Sequence, residues 1–199
     1  MEPDIKANLW KVIRQATSFQ VWEGLAWYMR AHNQVWEAAA ECGVEPRRFA
    51  AIVAVISPAT SWETNITQAR ALAWEGWSAR LTTFNTNKVK AMAMIEGEPI
   101  GWHLSGPKVV PFWMTICDPE EPYHLPVVDR HIIHAAVGRA LTDSERRKWH
   151  GMGRVSLIQD AIRDMAYGLH ILPQQVQAII WLVQKEQLEE KYNGLDIHT

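Results

Sequence analysis

Lys108 and Asp129 lie 21 residues apart within a stretch, Trp102 to Val137, that reads WHLSGPKVVPFWMTICDPEEPYHLPVVDRHIIHAAV. Leu104-Ser105-Gly106-Pro107-Lys108 reads as a tight turn feeding a helix. Glycine permits φ > 0 and close backbone approach to a ligand, and proline suits the first helical position. The helix start that follows offers unpaired N–H groups and the positive end of the helix dipole, to which Lys108 adds a full charge. Ser105, Gly106 and Lys108 are therefore the expected phosphate-binding residues. Asp129 closes the apolar run Leu125-Pro126-Val127-Val128 and precedes a helix. Two roles are open to it, and they are compatible. It can cap the helix, or it can present a half-buried carboxylate of raised basicity to a cleft. Asparagine caps about as well as aspartate, so a pure cap predicts that Asp129→Asn costs only about a few tenths of a kcal/mol.

Three further groups bear on chemistry. Trp62 and Asn65 are one helical turn apart and can face the same way, Trp62 to stack on an extruded base and Asn65 to read its amide edge. The alternative packs Trp62 in the core and bonds Asn65 to the Ser57-Pro58 loop. His131 and His134, spaced i, i+3, do not with Asp129 define a metal geometry, and no further ligand spacing is evident. No metal or cofactor is expected. Arg47-Arg48 and Arg146-Arg147-Lys148 read first as solvated helix faces and second as phosphate-facing patches.

Taken together, these motifs resemble the helix-hairpin-helix DNA glycosylases. That superfamily carries a Leu-Pro-Gly-x-Gly hairpin, a lysine opening the second hairpin helix in its lyase-competent members, and a Val-Asp-x-His motif about twenty residues on. Leu104-Ser105-Gly106-Pro107-Lys108 falls on the hairpin, and Val128-Asp129-Arg130-His131 on the aspartate motif. The resemblance implies Asp129, Lys108 and His131 as catalytic residues. One hairpin glycine is missing and a proline separates Gly106 from Lys108, which puts backbone capture of a DNA phosphate in doubt. Ile56-Ser57-Pro58-Ala59-Thr60-Ser61-Trp62-Glu63-x-Asn65 and Val176-Gln177-Ala178-x-x-Trp181 resemble small phage-encoded relatives associated with thymine hypermodification. That likeness implies an amino acid:DNA transferase, in which an amine displaces pyrophosphate from 5-(pyrophosphoryloxymethyl)uracil in DNA. It places Ser57, Trp62, Asn65 and Arg130 toward the base.

Two chemistries fit the same residues. In a transferase, Asp129 orients and deprotonates the incoming amine while Lys108 holds the leaving pyrophosphate. In a glycosylase with lyase activity, Asp129 stabilises charge on the deoxyribose while Lys108 attacks C1′. Either way the two side chains are expected at one cleft, with DNA and a small amine or amino acid as partners. A non-catalytic DNA-binding module is the third reading, opposed by the presence of both Lys108 and Asp129.

The elements that must carry these residues are helices. Apolar residues recur at helical spacing and alternation is nearly absent, so the fold class is all-α, a helix-hairpin-helix glycosylase-like bundle of about nine helices. Leu9, Val12, Ile13 and Ala16 mark the first. A longer one runs from about Val21 to Cys42, broken near Asn33, and Pro46 opens an all-apolar helix ending at Ile56. Thr60 with Glu63, and Thr142 with Glu145, read as capping boxes. Gly76, Gly97 and Gly168 read as helix stops. Prolines between Asp118 and Pro126 require a loop. Arg130 to Arg139 and a helix from Pro173 follow, with the tail frayed from Lys191.

Composition sets the outer bounds. The 199 residues suit a single helical domain, with two intimate lobes around a cleft as the variant. A net charge of −2 does not announce a DNA-coating protein, so DNA contact would need a local basic surface. Of the eleven tryptophans most are expected in the core, since Trp27, Trp74, Trp113 and Trp181 fall in apolar helical patterns, leaving a minority to stack on bases. Cys42 and Cys117 read as small buried thiols in a reducing compartment. No apolar run spans a membrane, and the start Met1-Glu2-Pro3-Asp4 is acidic where a signal peptide is basic, so a cytoplasmic location is expected.

Overall fold

The computed structural model describes residues 3–58 and 60–195. Among them are ten α-helices and two single 3-10 turns, with no strand. The helices are α1 (Ile5–Ile13), α2 (Ser18–Cys42), α3 (Pro46–Ile56), α4 (Trp62–Glu75) and α5 (Asn85–Ile95). Then come α6 (Gly106–Cys117), α7 (Arg130–Val137), α8 (Asp143–Arg147), α9 (Met152–Leu169) and α10 (Pro173–Leu195). The all-α expectation is met, with ten helices against about nine.

The chain divides into two compact units, one of Met1–Tyr28 with Glu120–Thr199, the other Met29–Pro119. In the first, α1, α7, α9 and α10 pack on one another. Leu9, Ile132, Ile133, Ile158, Ile162 and Ile180 are its fully buried centre. In the second, α3 lies against α4, α5 and α6. All eight residues from Phe49 to Ile56 are buried, as an all-round apolar helix must be.

Local rules explain most boundaries. Asp4 caps α1 through the N–H of Ala7, and Glu45 caps α3 through those of Arg47 and Arg48. Thr142 and Glu145 form the expected capping box at α8. Gly76 and Gly138 stop α4 and α7 with φ of 59° and 77°.

Four expectations need correction. Helix α2 runs unbroken through Asn33, whose cost is too small to interrupt 25 residues of continuous hydrogen bonding. The cap of α4 is Ser61, which accepts from Thr64 N–H, and not Thr60, whose hydroxyl turns back to the carbonyls of Ile56 and Pro58. Helix α9 passes through Gly168 to Leu169, and the left-handed residue after it is His170, at φ 56°. Helix α10 continues past Lys191 to Leu195. Ala59, part of the motif after α3, and residues 196–199 lie outside the described residues.

Candidate functional site

The residues singled out by sequence fall into two clusters. Asp129, Arg130 and His131 belong to the unit formed by the two ends of the chain, and Ser57, Trp62, Asn65, Ser105, Gly106 and Lys108 to the central unit.

In the first cluster, Val127 and Val128 are buried and anchor the segment that delivers Asp129. Gln159 holds that segment further by donating to the Pro126 carbonyl at 3.0 Å. Asp129 is the N-cap of α7: its Oδ1 accepts from the backbone N–H of His131 at 2.9 Å and of Ile132 at 3.0 Å. Capping therefore uses one carboxylate oxygen. The other, Oδ2, accepts from the indole N–H of Trp181 at 3.0 Å. Three N–H donors fix a half-buried carboxylate in one orientation.

Trp181, on α10, belongs to the apolar helical pattern and to the Val176-Gln177-Ala178-x-x-Trp181 motif, neither of which says where its N–H points. Around it stands an aromatic group. The His131 ring meets it edge-on at 6.0 Å, and Trp27 lies 6.0 Å away at a 57° tilt. Tyr28 is T-shaped against Trp27 at 4.7 Å. Its hydroxyl donates to Gln177 Oε1 at 2.7 Å. Burial first, and the Asp129 charge second, push the Tyr28 phenol well above its ordinary pKa, so it remains a neutral donor. Lys185 extends its ammonium over the Trp181 ring, 5.2 Å from the centroid. Arg130 is exposed and donates through Nε to His131 Nε2 at 3.2 Å.

His134, one turn further along α7, is buried at 8 % exposure, and neither ring nitrogen has a hydrogen-bond partner. Burial, then the charges of His131, Arg146 and Arg130, lower its pKa. It lines a surface pocket with Asn8, Lys11, Gln15, Arg139 and Gln184. No group of three His, Cys, Asp or Glu side chains among the described residues is arranged to hold a metal ion.

In the second cluster, Gly106 opens α6 at φ 88°, and nothing lies within 4 Å of where a β-carbon would sit. Ser105 is at the cap position with its side chain making no cap bond, and both residues are exposed. The turn thus has the open backbone that the sequence suggested. Lys108 is half-buried, and its ammonium donates to the Ser57 carbonyl at 3.2 Å.

That carbonyl follows the last residue of α3, where three other side chains also gather. Asn65 donates from Nδ2 to Val53 at 3.0 Å, Ser57 from its hydroxyl to Ala54 at 2.8 Å, and Thr60 to Ile56 at 3.3 Å. They satisfy the carbonyls that a helix end leaves without partners, and Lys108 adds a cation at the negative end of the dipole. Ser57 and Asn65, at 7 % and 2 % exposure, therefore serve as caps of α3. The Asn65 amide oxygen is buried without a partner. Trp62 is half-buried, edge-on to Phe112 at 6.3 Å, and donates to Gln34 Oε1 at 2.5 Å. Sequence reasoning found the Trp62 and Asn65 positions but not their partners, because Gln34 and Val53 carry no motif.

In the basic runs Arg47, Arg147 and Lys148 are exposed, and two other residues make structural contacts. Arg48 donates to the carbonyls of Met94 and Glu98, and Arg146 pairs with Asp143 at 3.0 Å. No helix is long and apolar enough to cross a membrane among the described residues.

No curated protein and no solved structure matches the chain. A family of unknown function (DUF7178) matches residues 2–188, and the chain belongs to it.

Proposed function

We propose that this chain is a DNA base-modifying enzyme of the helix-hairpin-helix glycosylase type, an amino acid:DNA transferase using an amine and 5-(pyrophosphoryloxymethyl)uracil. The observation that carries the reading is Asp129, a carboxylate held by three N–H donors and backed by Trp181, His131 and Trp27. Oδ2 has one indole N–H and a lone pair left to take a proton. In the reaction the amine nitrogen forms a bond to the exocyclic methylene, and the C–O bond to pyrophosphate breaks with its electron pair leaving on pyrophosphate. The amine proton passes to Asp129 and then to water. His131, which accepts from Arg130, stands edge-on to the Trp181 ring that bonds this carboxylate. In the central unit the open turn of Ser105 and Gly106, with Lys108 in the first turn of α6, is the proposed anion-binding element.

Nucleoside mass spectrometry tests this on the purified chain incubated with amines and duplexes carrying thymine, 5-hydroxymethyluracil or its pyrophosphorylated form. An amine-substituted thymidine with release of pyrophosphate supports the transferase. A free base with an abasic site would replace it with base excision. No change in any substrate would leave a non-catalytic DNA-binding module.

A further inference from the structure

Helices α1, α7 and α10 pack on one another within the unit formed by the two ends of the chain, and residues of all three line a pocket of about 250 Å3. That is the volume of about eight water molecules at about 30 Å3 each, so a ligand there is small. His134 belongs to its lining, at 8 % exposure, and neither of its ring nitrogens has a hydrogen-bond partner. Burial favours the neutral imidazole, in which one nitrogen is a donor and the other an acceptor. Buried polar groups are nearly always satisfied in folded proteins, so an unused donor and acceptor beside a pocket call for a partner from outside the chain. The torsion that turns a histidine ring is broad, and a small rotation can bring either nitrogen to that partner.

The rest of the lining selects the class of ligand. It includes Lys11 and Arg139 and no carboxylate. Arg139 is engaged by Glu145 at 2.6 Å, whereas Lys11 makes no ion pair among the described residues and supplies the uncompensated charge. The negative end of α7 is already covered. Asn8 donates to the Ala136 carbonyl at 2.9 Å, and the Gly138 N–H bonds to His134 and Ala135. Gln187 donates to Gln15 Oε1 at 2.9 Å, which leaves the Gln15 NH2 group to donate into the pocket. Gln184 adds a further carboxamide to the lining. We propose that this pocket binds a small oxyanion, a phosphate ester or a carboxylate, with Lys11 meeting its charge and His134, Gln15 and Gln184 its remaining oxygens. The site stands apart from the transferase reading, since neither Asp129 nor Lys108 takes part in it.

The imidazole nitrogens of the 15N-labelled full chain report on the site. Those of His134 are assigned through bonds to its own backbone and confirmed by their loss in His134→Gln. Glycerol 3-phosphate and succinate are titrated separately, at constant pH and ionic strength. The expected result is a saturable movement of the His134 nitrogens with one or both, the phosphate or the carboxylate arm naming the source of the oxyanion. Lys11 is exposed, so Lys11→Met should keep the wild-type helicity while raising the apparent Kd about tenfold or more. His134 signals that stay in place with both compounds, or a Kd unchanged in Lys11→Met, would overturn the site. Movement produced by a plain DNA duplex and by neither small anion would overturn it as well, placing a backbone phosphate there instead.

Discussion

The indole N–H of Trp181 points at Oδ2 of Asp129 from 3.0 Å, joining α10 to the start of α7 across 52 residues of sequence. The bond divides the aspartate into two halves with different duties. Oδ1 accepts the two backbone N–H groups of the cap, and Oδ2 faces the indole. A cap alone would need only the first.

That division changes what Asp129→Asn should do. The sequence predicts an almost neutral substitution, because asparagine caps well. In the structure the asparagine oxygen can replace Oδ1, but its NH2 group would then face the indole N–H, donor against donor. Leaving a partly buried donor unsatisfied costs about 1–3 kcal/mol. Chemical denaturation should show a loss in that range for Asp129→Asn. The loss should largely vanish when Trp181 is already phenylalanine, a coupling that only a direct interaction produces. Additive losses in the double variant would disprove it.

Lys108→Met removes the cation at the C-terminal end of α3. The methylene stem is preserved, so the cost is the hydrogen bond to Ser57 and the dipole interaction, together about 1 kcal/mol. Thermal unfolding should show this as a modest fall with full helicity by circular dichroism. If instead Lys108 served a bound anion without supporting α3, the variant would unfold at the wild-type temperature.

How much of this was legible beforehand follows from the range of each interaction. The burial of α3 could be read from eight consecutive apolar residues, and the α8 capping box from Thr142 and Glu145 three apart, because both are local. Asp129 as the start of a helix was legible for the same reason. Trp181 as its partner was not: an apolar pattern places a tryptophan on an inward face but says nothing of where its N–H points. Thr60 with Glu63 has the spacing of a capping box, yet the α4 cap is Ser61, one residue on. The nearby α3 carbonyls decided it by drawing Thr60 away. The role of Asn65, on α4, depended likewise on the end of a neighbouring helix.

Acid should weaken the fold through His134. Its folded-state pKa lies below the ordinary value of 6.5, mainly because burial disfavours the charged ring. The unfolded chain therefore binds the proton first as pH falls, so stability declines on acidification from about 6.5 toward the lower folded pKa, and is unaffected by this group above that window. His134→Gln, which cannot titrate, should flatten the slope of unfolding free energy between pH 7 and pH 5. His150 shifts in the same direction and should retain its own share of the slope. An unchanged slope in His134→Gln would mean that the imidazole is hydrated in the fold.

The last prediction concerns the close packing of α2 and α10 beside the Asp129 cluster. A β-carbon on Gly24 would lie 2.5 Å from Ile179 Cγ1, 2.8 Å from its backbone nitrogen and 2.9 Å from its Cα. The side-chain contact can be relieved by rotation, but the two backbone contacts cannot, so one helix must move. Alanine in a helix interior is ordinarily better than glycine by about 1 kcal/mol. Overpacking a core typically costs about 1–3 kcal/mol and more where backbone must shift, so the clash should win at this position. Ile179 lies between Gln177 and Trp181, and Gly24 precedes Tyr28 by one helical turn. Movement should therefore loosen the Tyr28–Gln177 bond and the indole that faces Asp129. Gly168→Ala, on α9 with nothing within 4 Å of the added carbon, supplies the opposite case and should stabilise by up to about 1 kcal/mol. Gly24→Ala should lower the unfolding midpoint and shift the indole N–H resonance of Trp181 in a 15N-labelled chain, while Gly168→Ala raises the midpoint and leaves that resonance in place. A Gly24→Ala chain as stable as the wild type would show that the two helices do not meet this closely.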